Sequence, residues 1–375
     1  MNILILGTGN PSQHLISALK DRGHTYHYHD PEDLYVYVSE SANGYDRIYN
    51  GHHELKEPVR LKVKEYDTII SRLGSGLDFG ATILQHLNEN LGIYSPQTAD
   101  GLLCARDKMK TAMRLSFAGV KVPLTVFAKN PVHVDSIMNL LGGLPVVGKL
   151  LKGSQGVGVM IFRDAEQTNT SLQSFWKLNV DVLLQRYIES GSKDIRAIVV
   201  GDKVVLAVER TGSKDFRANI SQGGTGKRVE LTKEQETQCV NAAKALGLEF
   251  AGVDLMKDEN DTSYIVEVNG NPGTKVIDIT GHNYFVDLIK HVENQVGKKA
   301  NSKTAIPDST AIPADTGEDE MKRLGIPSNQ IFAFKQLGVK PPSDYIRLLR
   351  KAKQSKLSPD ETAQLIWLKS NCLNG

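Results

Sequence analysis

The stretch Phe250-Ala251-Gly252-Val253-Asp254-Leu255-Met256, the polar turn Asp258-Glu259-Asn260-Asp261-Thr262, and Tyr264-Ile265-Val266-Glu267-Val268-Asn269 decide the fold. Two apolar strands flank a polar turn, which predicts a β-hairpin. Residues i and i+2 of a strand share a face, so Glu267 and Asn269 point the same way. A turn centred between Asn260 and Asp261 sets Asp254 opposite Glu267. Three oxygen-bearing side chains then converge inside otherwise apolar strands. Buried carboxylates need a cation or strong donors to offset desolvation. Oxygen ligands select Mg²⁺ or Mn²⁺ over zinc. Pairing with Arg196 or Arg210 is the structural alternative.

Outward from this hairpin the chain divides into segments. Residues 2–6 are an apolar strand ending at Gly7-Thr8-Gly9. A helix with Leu15, Ile16 and Leu19 on one face follows, closed by Gly23. Strand Asp67–Ser71 and a helix with Phe79, Ile83, Leu84, Leu87 and Leu91 complete a parallel α/β domain, 1–98. Residues 99–190 hold a helix over 107–118, strands at 146–149 and 159–162, a helix near 165–177 and a strand at 182–185. Residues 191–297 are mostly strands: 195–200, 204–209, 229–231, 250–256 and 264–269. Thr232 caps a helix reaching about Leu246, and another helix spans about 283–296. The mixture is α+β. Residues 298–320 suggest a flexible linker and 321–375 a tail of short helices.

Composition narrows the function. The 375 residues carry a formal charge of +2, so no global field announces a nucleic-acid or membrane partner. No apolar run approaches the roughly 20 residues needed to cross a bilayer. Cys104, Cys239 and Cys372 form no paired framework, which points to a reducing, cytoplasmic setting. The tail differs from the body: ten basic and three acidic residues give it +7. It is a solvated appendage, an oligomer contact, or a dock for an acidic or nucleoprotein partner.

Three glycine clusters are candidate phosphate sites. Gly7-Thr8-Gly9-Asn10-Pro11-Ser12 lacks the third glycine of a dinucleotide fingerprint, and a tight strand-to-helix turn accounts for it better. Gly223-Gly224-Thr225-Gly226-Lys227-Arg228 has Arg228 where a Walker loop needs Ser or Thr. Gly153-Ser154-Gln155-Gly156-Val157-Gly158 lies between two strands after Lys149, as a hairpin folding over a polyphosphate would. Glycine hairpins are common, and this one is weak evidence alone. Histidines 24, 27, 29, 52 and 53 lack metal-ligand spacing tied to other ligands.

Taken together, these segments resemble the ATP-grasp superfamily and, within it, the RimK family of peptide- and protein-modifying glutamate ligases. The carrying residues are Ala105–Lys108, Gly148-Lys149-Leu150 with Gly153–Gly158, Gln185-Arg186-Tyr187-Ile188, and Asp194-Ile195-Arg196. They continue with Glu209-Arg210, Asp215–Asn219, Gly252-Val253-Asp254 and Glu267–Gly273. They stand in family order over residues 1 to about 297. The resemblance implies an ATP-grasp fold, two subdomains sandwiching ATP behind an N-terminal domain. It implies that Lys108 and Lys149 contact phosphates, with Gly153, Ser154, Gln155 and Gly156 as a lid. It further implies an adenine hinge at Gln185, Arg186, Tyr187 and Ile188, and a ribose contact at Asp194. Arg217, Ala218 and Asn219 would meet phosphate or the reacting centre, beside catalytic Arg196 and Arg210. Asp254, Glu267 and Asn269 would hold two Mg²⁺ or Mn²⁺. Arg72, Gly270 and Asn271 would face the substrate; Gly270-Asn271 stands where Ala-Ser is usual. The implied reaction joins an amino acid such as glutamate to a peptide or protein acceptor, in a homo-oligomer. Another carboxylate substrate, or a non-catalytic ATP-binding module, are the alternatives.

Overall fold

The computed structural model describes residues 1–37, 47–74, 76–129, 133–151, 158–212 and 225–303, and Lys351. The chain forms two compact units, Met1–Ala300 and Asn301–Gly375. Within the first, β1 (Asn2–Gly7), α1 (Gln13–Asp21), β2 (Thr25–His29), β3 (Leu34–Val36), β4 (Ile48–Asn50), β5 (Val59–Arg60), β6 (Thr68–Arg72) and α2 (Leu77–Gln85) come first. A parallel sheet runs β2-β1-β6. Ile3 to Leu6 are fully buried, as a strand covered on both faces requires. Leu15, Ala18 and Leu19 of α1 pack against Ile3 and Ile5. Gly23 closes α1 with φ +71°. A separate antiparallel sheet, β3-β4-β5, carries no clear sequence signal. Helix α2 continues into one π-helical turn over His86–Asn90.

Next come α3 (Ala99–Arg106), α4 (Lys108–Phe117), β7 (Thr125–Phe127), α5 (Val134–Leu140), β8 (Val146–Leu150), β9 (Val159–Phe162), α6 (Ala165–Lys177) and β10 (Val182–Arg186). The strands form an antiparallel sheet in the order β7-β10-β8-β9. Its core joins Val146, Phe162 and Leu184 to Ile137 and Met138 of α5 and Leu172 and Trp176 of α6.

The third group is β11 (Lys193–Val200), β12 (Lys203–Thr211), β13 (Thr225–Arg228), α7 (Lys233–Ala245), β14 (Phe250–Lys257), β15 (Ser263–Asn269), α8 (Lys275–Thr280) and α9 (Tyr284–Lys303). The sheet order is β13-β12-β11-β14-β15. One face is apolar: Ala197, Val199, Ala251 and Val253 pack with Cys239, Ala242 and Ala243 of α7. Small residues on both sides permit close approach. Thr232 and Gln235 form a reciprocal capping box at the start of α7. The other face is divided along its length. At one end Ile198, Val200, Leu206, Val208 and Phe250 lie in one core with Tyr284, Phe285, Leu288 and Ile289 of α9. The other end carries charge.

Two expected elements are corrected. The strand expected at 229–231 is Thr225–Arg228, where Lys227 and Arg228 replace the apolar residues that periodicity favours. Helix α9 continues to Lys303, through the first positions of the expected linker. The rest of 298–320, and the tail apart from Lys351, lie outside the described residues. Among the described residues no helix is long and apolar enough to cross a membrane. Cys104 and Cys239 are buried free thiols; burial pushes Cys239 up to about 12, so packing is their role.

Helix α3 meets the end of α7 at Gly101, where an added Cβ would lie 2.4 Å from the Leu246 carbonyl oxygen. That atom is backbone and cannot rotate away. Gly101→Ala should therefore destabilise the first unit by about 1–3 kcal/mol, read as a lower denaturation midpoint at unchanged slope.

Candidate active site

The charged end of the five-stranded sheet is built by register. Asp194 pairs with Arg210 across β11 and β12, Arg196 with Asp254 across β11 and β14, and Asp254 with Glu267 across β14 and β15. Alternation therefore places Asp194, Arg196, Arg210, Asp254, Glu267 and Asn269 on one face. The register reaches this arrangement through a bulge. Nearer the turn, Leu255 faces Ile265 and Met256 faces Tyr264; Val266 is the extra residue, and beyond it Asp254 faces Glu267.

The side chains form a chain of ion pairs. Arg196 donates through Nε to Asp254 Oδ1 and through Nη2 to Oδ2, the latter at 2.7 Å. Arg210 donates Nε and Nη2 to the two oxygens of Asp194, both at 2.6 Å, and its Nη2 lies 3.0 Å from Asp254 Oδ2. With its amide oriented by these neighbours, Asn269 donates to Glu267 Oε1 at 3.0 Å and accepts from Arg196 Nη2 at 3.2 Å. The ion-pair alternative thus holds for Asp254, while Glu267 stays exposed.

Environment separates Asp254 from Asp194. Burial works to raise Asp254, but the Arg196 and Arg210 charges outweigh it and hold its carboxyl below the usual range. Asp194 is pushed up to about 6, first by desolvation and then by the Asp254 charge, against the pull of Arg210. Arg210 is raised: burial opposes its charge, and the Asp254 and Asp194 carboxylates overcome burial.

The four-stranded sheet adds a lysine. Lys149 of β8 donates to Gln185 Oε1 at 2.7 Å, and Gln185 Nε2 donates to Thr125 Oγ1 at 2.9 Å. Desolvation lowers Lys149, nearby Lys108 lowers it further, and Glu267 and Asp254 raise it. Lys149 on one sheet, Asp254 and Glu267 on another and Lys108 on α4 are therefore electrostatic neighbours. Lys108 opens α4, whose N-terminus Asp107 caps through Met109 and Lys110 N–H groups at 3.0 Å. Arg186 is exposed at the end of β10, Ile188 is buried, and the Arg163 guanidinium lies 5.8 Å over the Tyr187 ring.

The loop after β15 touches the N-terminal domain. Arg72 donates to the Pro272 carbonyl at 3.1 Å, and Asn271 donates to the Leu73 carbonyl at 2.9 Å. Gln97 donates to the Gly270 carbonyl. Tyr284 OH lies 3.2 Å from the carbonyls of Pro272 and Gly273. Sequence reasoning missed Gln97, Tyr284 and Thr125; they are single polar groups outside any motif. Gly153, Ser154, Gln155, Gly156, Arg217, Ala218 and Asn219 lie outside the described residues.

The donor set suits a hard divalent cation. Asp254, Glu267 and Asn269 share one face, Glu267 meets solvent, and a cation there would share the Asp254 oxygens with Arg196 and Arg210. Gly252 keeps the adjoining space open: a Cβ there would sit 3.1 Å from Pro272 Cβ and 3.2 Å from Arg196 Cδ. Among the described residues no three His, Cys, Asp or Glu side chains form a metal cluster; here the third donor is Asn269.

Comparison with known proteins bears on this geometry. Residues 105–292 match the family model of the RimK-like ATP-grasp domain. A probable alpha-L-glutamate ligase of Trichodesmium erythraeum is 33% identical over 305 residues, covering 80% of this chain and 98% of the relative. A solved structure of the ATP-grasp ligase PsnB, complexed with minimal precursor, Mg and ADP, superposes with TM-score 0.59 at 17% identity, covering 79% of this chain and 98% of that one. The macrocyclase MdnC of Microcystis aeruginosa, bound with precursor peptide MdnA, gives TM-score 0.57 at 14% identity over 78% of this chain and all of that one. At such identities the structures establish the ATP-grasp fold.

Asp194 provides a pH signature. Its folded value of about 6 lies above its ordinary 3.8. The folded state therefore binds this proton more tightly than the unfolded state does. The resulting stabilisation is full below pH ~4 and is lost as pH rises through about 6. The stability of the wild type minus that of Asp194→Asn should fall by about 2–3 kcal/mol over that window. Denaturation at a series of pH values measures this; a flat difference would contradict the assignment.

Proposed function

This chain belongs to the RimK-like ATP-grasp family, and from that premise and the site above we infer that it joins an amino acid to a peptide or protein acceptor. It is an ATP-dependent carbon–nitrogen ligase. The observation that carries the reading is the convergence of Lys149, Lys108, Arg196 and Arg210 on the Asp254–Glu267–Asn269 face. Such an array suits a reaction that develops negative charge on phosphoryl and carbonyl oxygens.

Two steps follow. An acceptor carboxylate oxygen attacks the γ-phosphorus of ATP, ADP leaves, and an acyl phosphate forms. The amine then attacks the acyl carbon, forming the C–N bond. The C–O bond to phosphate breaks, phosphate leaves with its electron pair, and the amine sheds a proton to solvent. Lys149, held by Gln185, would meet the phosphates with Lys108. Arg196 and Arg210 would face the acyl phosphate. Arg186, Tyr187 and Ile188 would bind adenine largely through backbone groups, and Asp194 the ribose. Gly153, Ser154, Gln155 and Gly156, with Arg217, Ala218 and Asn219, would close over the nucleotide. Asp254, Glu267 and Asn269 would hold two Mg²⁺ ions, with Mn²⁺ as substitute. When bound, the metal supplies Lewis-acid neutralisation of phosphoryl charge.

Relatives named alpha-L-glutamate ligases support glutamate as the amino acid, and precursor-peptide complexes of ATP-grasp structures support a peptide acceptor. Hydroxylamine supplied in place of the amino acid should trap the acyl phosphate as a hydroxamate when ATP, Mg²⁺ and the correct peptide are present. Hydroxamate from small carboxylates alone would reassign the acceptor; none from any carboxylate would end the ligase reading. Glu267→Gln removes a ligand charge and keeps shape. Turnover should fall at least ~100-fold at limiting Mg²⁺, with unchanged far-ultraviolet dichroism.

The basic tail supports a further part of the proposal. Its charge of +7 suits docking of an acidic acceptor protein, raising that acceptor's effective concentration at the site. Deleting 304–375 should leave hydroxamate formation with short peptides intact. It should raise KM for the protein acceptor, most strongly at low salt. Loss of all activity would assign the tail to folding or assembly instead.

A further inference from the structure

Arg72 ends β6 directly opposite Gly7 of β1. An added Cβ at Gly7 would lie 3.0 Å from Arg72 Cβ and 3.1 Å from its carbonyl oxygen. The first glycine of the Gly7-Thr8-Gly9 turn therefore makes room for this arginine. The Arg72 guanidinium lies 5.2 Å over the Phe285 ring and donates Nη2 to the Pro272 carbonyl. Its Nη1 is buried without a hydrogen-bond partner. Burial disfavours its charge, and no carboxylate is among the neighbours that act on it. A buried guanidinium N–H without an anion is costly.

Asn271 shows the complementary condition. Its Nδ2 donates to the Leu73 carbonyl, while its Oδ1 is buried without a partner. The two side chains are anchored reciprocally: Arg72 on the residue after Asn271, Asn271 on the residue after Arg72. What remains is one cationic N–H donor and one carbonyl acceptor on neighbouring, immobilised side chains. An α-amino acid presents the matching pair, a carboxylate and an N–H-bearing amine. The loop adjoins the charged face, since Pro272 Cβ and Arg196 Cδ flank the same point above Gly252 at 3.1 and 3.2 Å. A carboxylate undergoing phosphorylation belongs beside Arg196 and the oxygen donors. The anion at Arg72 is then one that the reaction leaves intact.

We propose that Arg72 and Asn271 form the subsite of the amine component: Arg72 Nη1 receives the α-carboxylate of the incoming amino acid, and Asn271 Oδ1 accepts an N–H of its attacking amine. The inference rests on the ligase reading above. In the second step the accepted N–H orients the nitrogen lone pair toward the acyl carbon. The C–N bond forms, phosphate departs, and the surplus proton leaves with solvent. Arg72 and Asn271 neither gain nor lose a covalent bond.

The test uses the full chain with ATP, Mg²⁺, an acceptor peptide that yields hydroxamate with wild-type enzyme, and L-glutamate or its α-amide. Hydroxamate formation by the wild type tests the ligase reading alone. Arg72→Gln keeps a donor for Pro272 and removes the charge. Its KM for L-glutamate should rise about 30–100-fold, with KM for ATP within about twofold. Wild-type preference for L-glutamate over the α-amide should disappear. Asn271→Asp places a carboxylate beside Arg72 and should raise KM for L-glutamate about tenfold or more by supplying an internal competitor. Arg72→Lys, which keeps the charge, should retain part of the preference for the free carboxylate even if Arg72→Gln does not fold. An unchanged preference in Arg72→Gln, no preference in folded Arg72→Lys, or an increase in KM for the peptide in place of L-glutamate, would overturn the assignment.

Discussion

The buried charge network Asp194–Arg210–Asp254–Arg196 is the constraint on which the site depends. None of its members could be buried alone, because an isolated ion in a protein interior loses several kcal/mol of hydration. Asp254 is almost wholly buried, at 4% exposure, and only two guanidiniums make that tolerable. The network fixes the relative register of β11, β12 and β14 at one end of the sheet. At the other end, apolar residues on the same face pack against α9. One face thus does two jobs, and the change from charge to hydrocarbon along it marks where the candidate site begins.

The core of this arrangement was legible because strand alternation is strict. Asp254, Glu267 and Asn269 could be placed on one face from spacing alone, and the facing of Asp254 and Glu267 is observed. The route differs: the turn sits half a residue earlier than the symmetrical placement, and the bulge at Val266 restores the pairing. Sequence cannot show such compensation, since a bulge has no signature in an apolar run. Strand β2, Thr25–His29, was equally opaque. Its alternating Tyr and His residues satisfy no simple apolar pattern, and its parallel partner β1 supplies the order. Gln97 and Tyr284 act on a loop about 170 and 10 residues away, respectively, so only tertiary structure reveals their role.

Positive charge reaches the site in two chemically different forms. Arg196 and Arg210 are locked on carboxylates, and a guanidinium stays charged throughout the working range. Lys149 is different: burial lowers its proton affinity, and Lys108 adds to that effect. Gln185 accepts one of its hydrogen bonds without contributing charge. A phosphate placed beside Lys149 would favour its charged form, as the Glu267 and Asp254 carboxylates do. The arginines are neutralised by Asp194 and Asp254, whereas Lys149 meets an uncharged amide oxygen.

This division also explains why three separate sheets contribute. A single strand alternates faces and cannot crowd four cations and three acids into one volume. The four-stranded sheet supplies Lys149, the five-stranded sheet supplies the ion-pair network, and the parallel sheet supplies Arg72 of the proposed amine subsite. Each side chain is held by a neighbour on its own or the facing element: Lys149 by Gln185, Arg196 by Asp254, Arg72 by Pro272. These three side chains are held by protein partners, and groups positioned in advance need no reorganisation in the chemical step. The energetic counterpart is the set of buried polar atoms left without partners at Arg72 and Asn271. Their desolvation weighs against stability in the empty protein and returns as affinity when a ligand carries the matching groups.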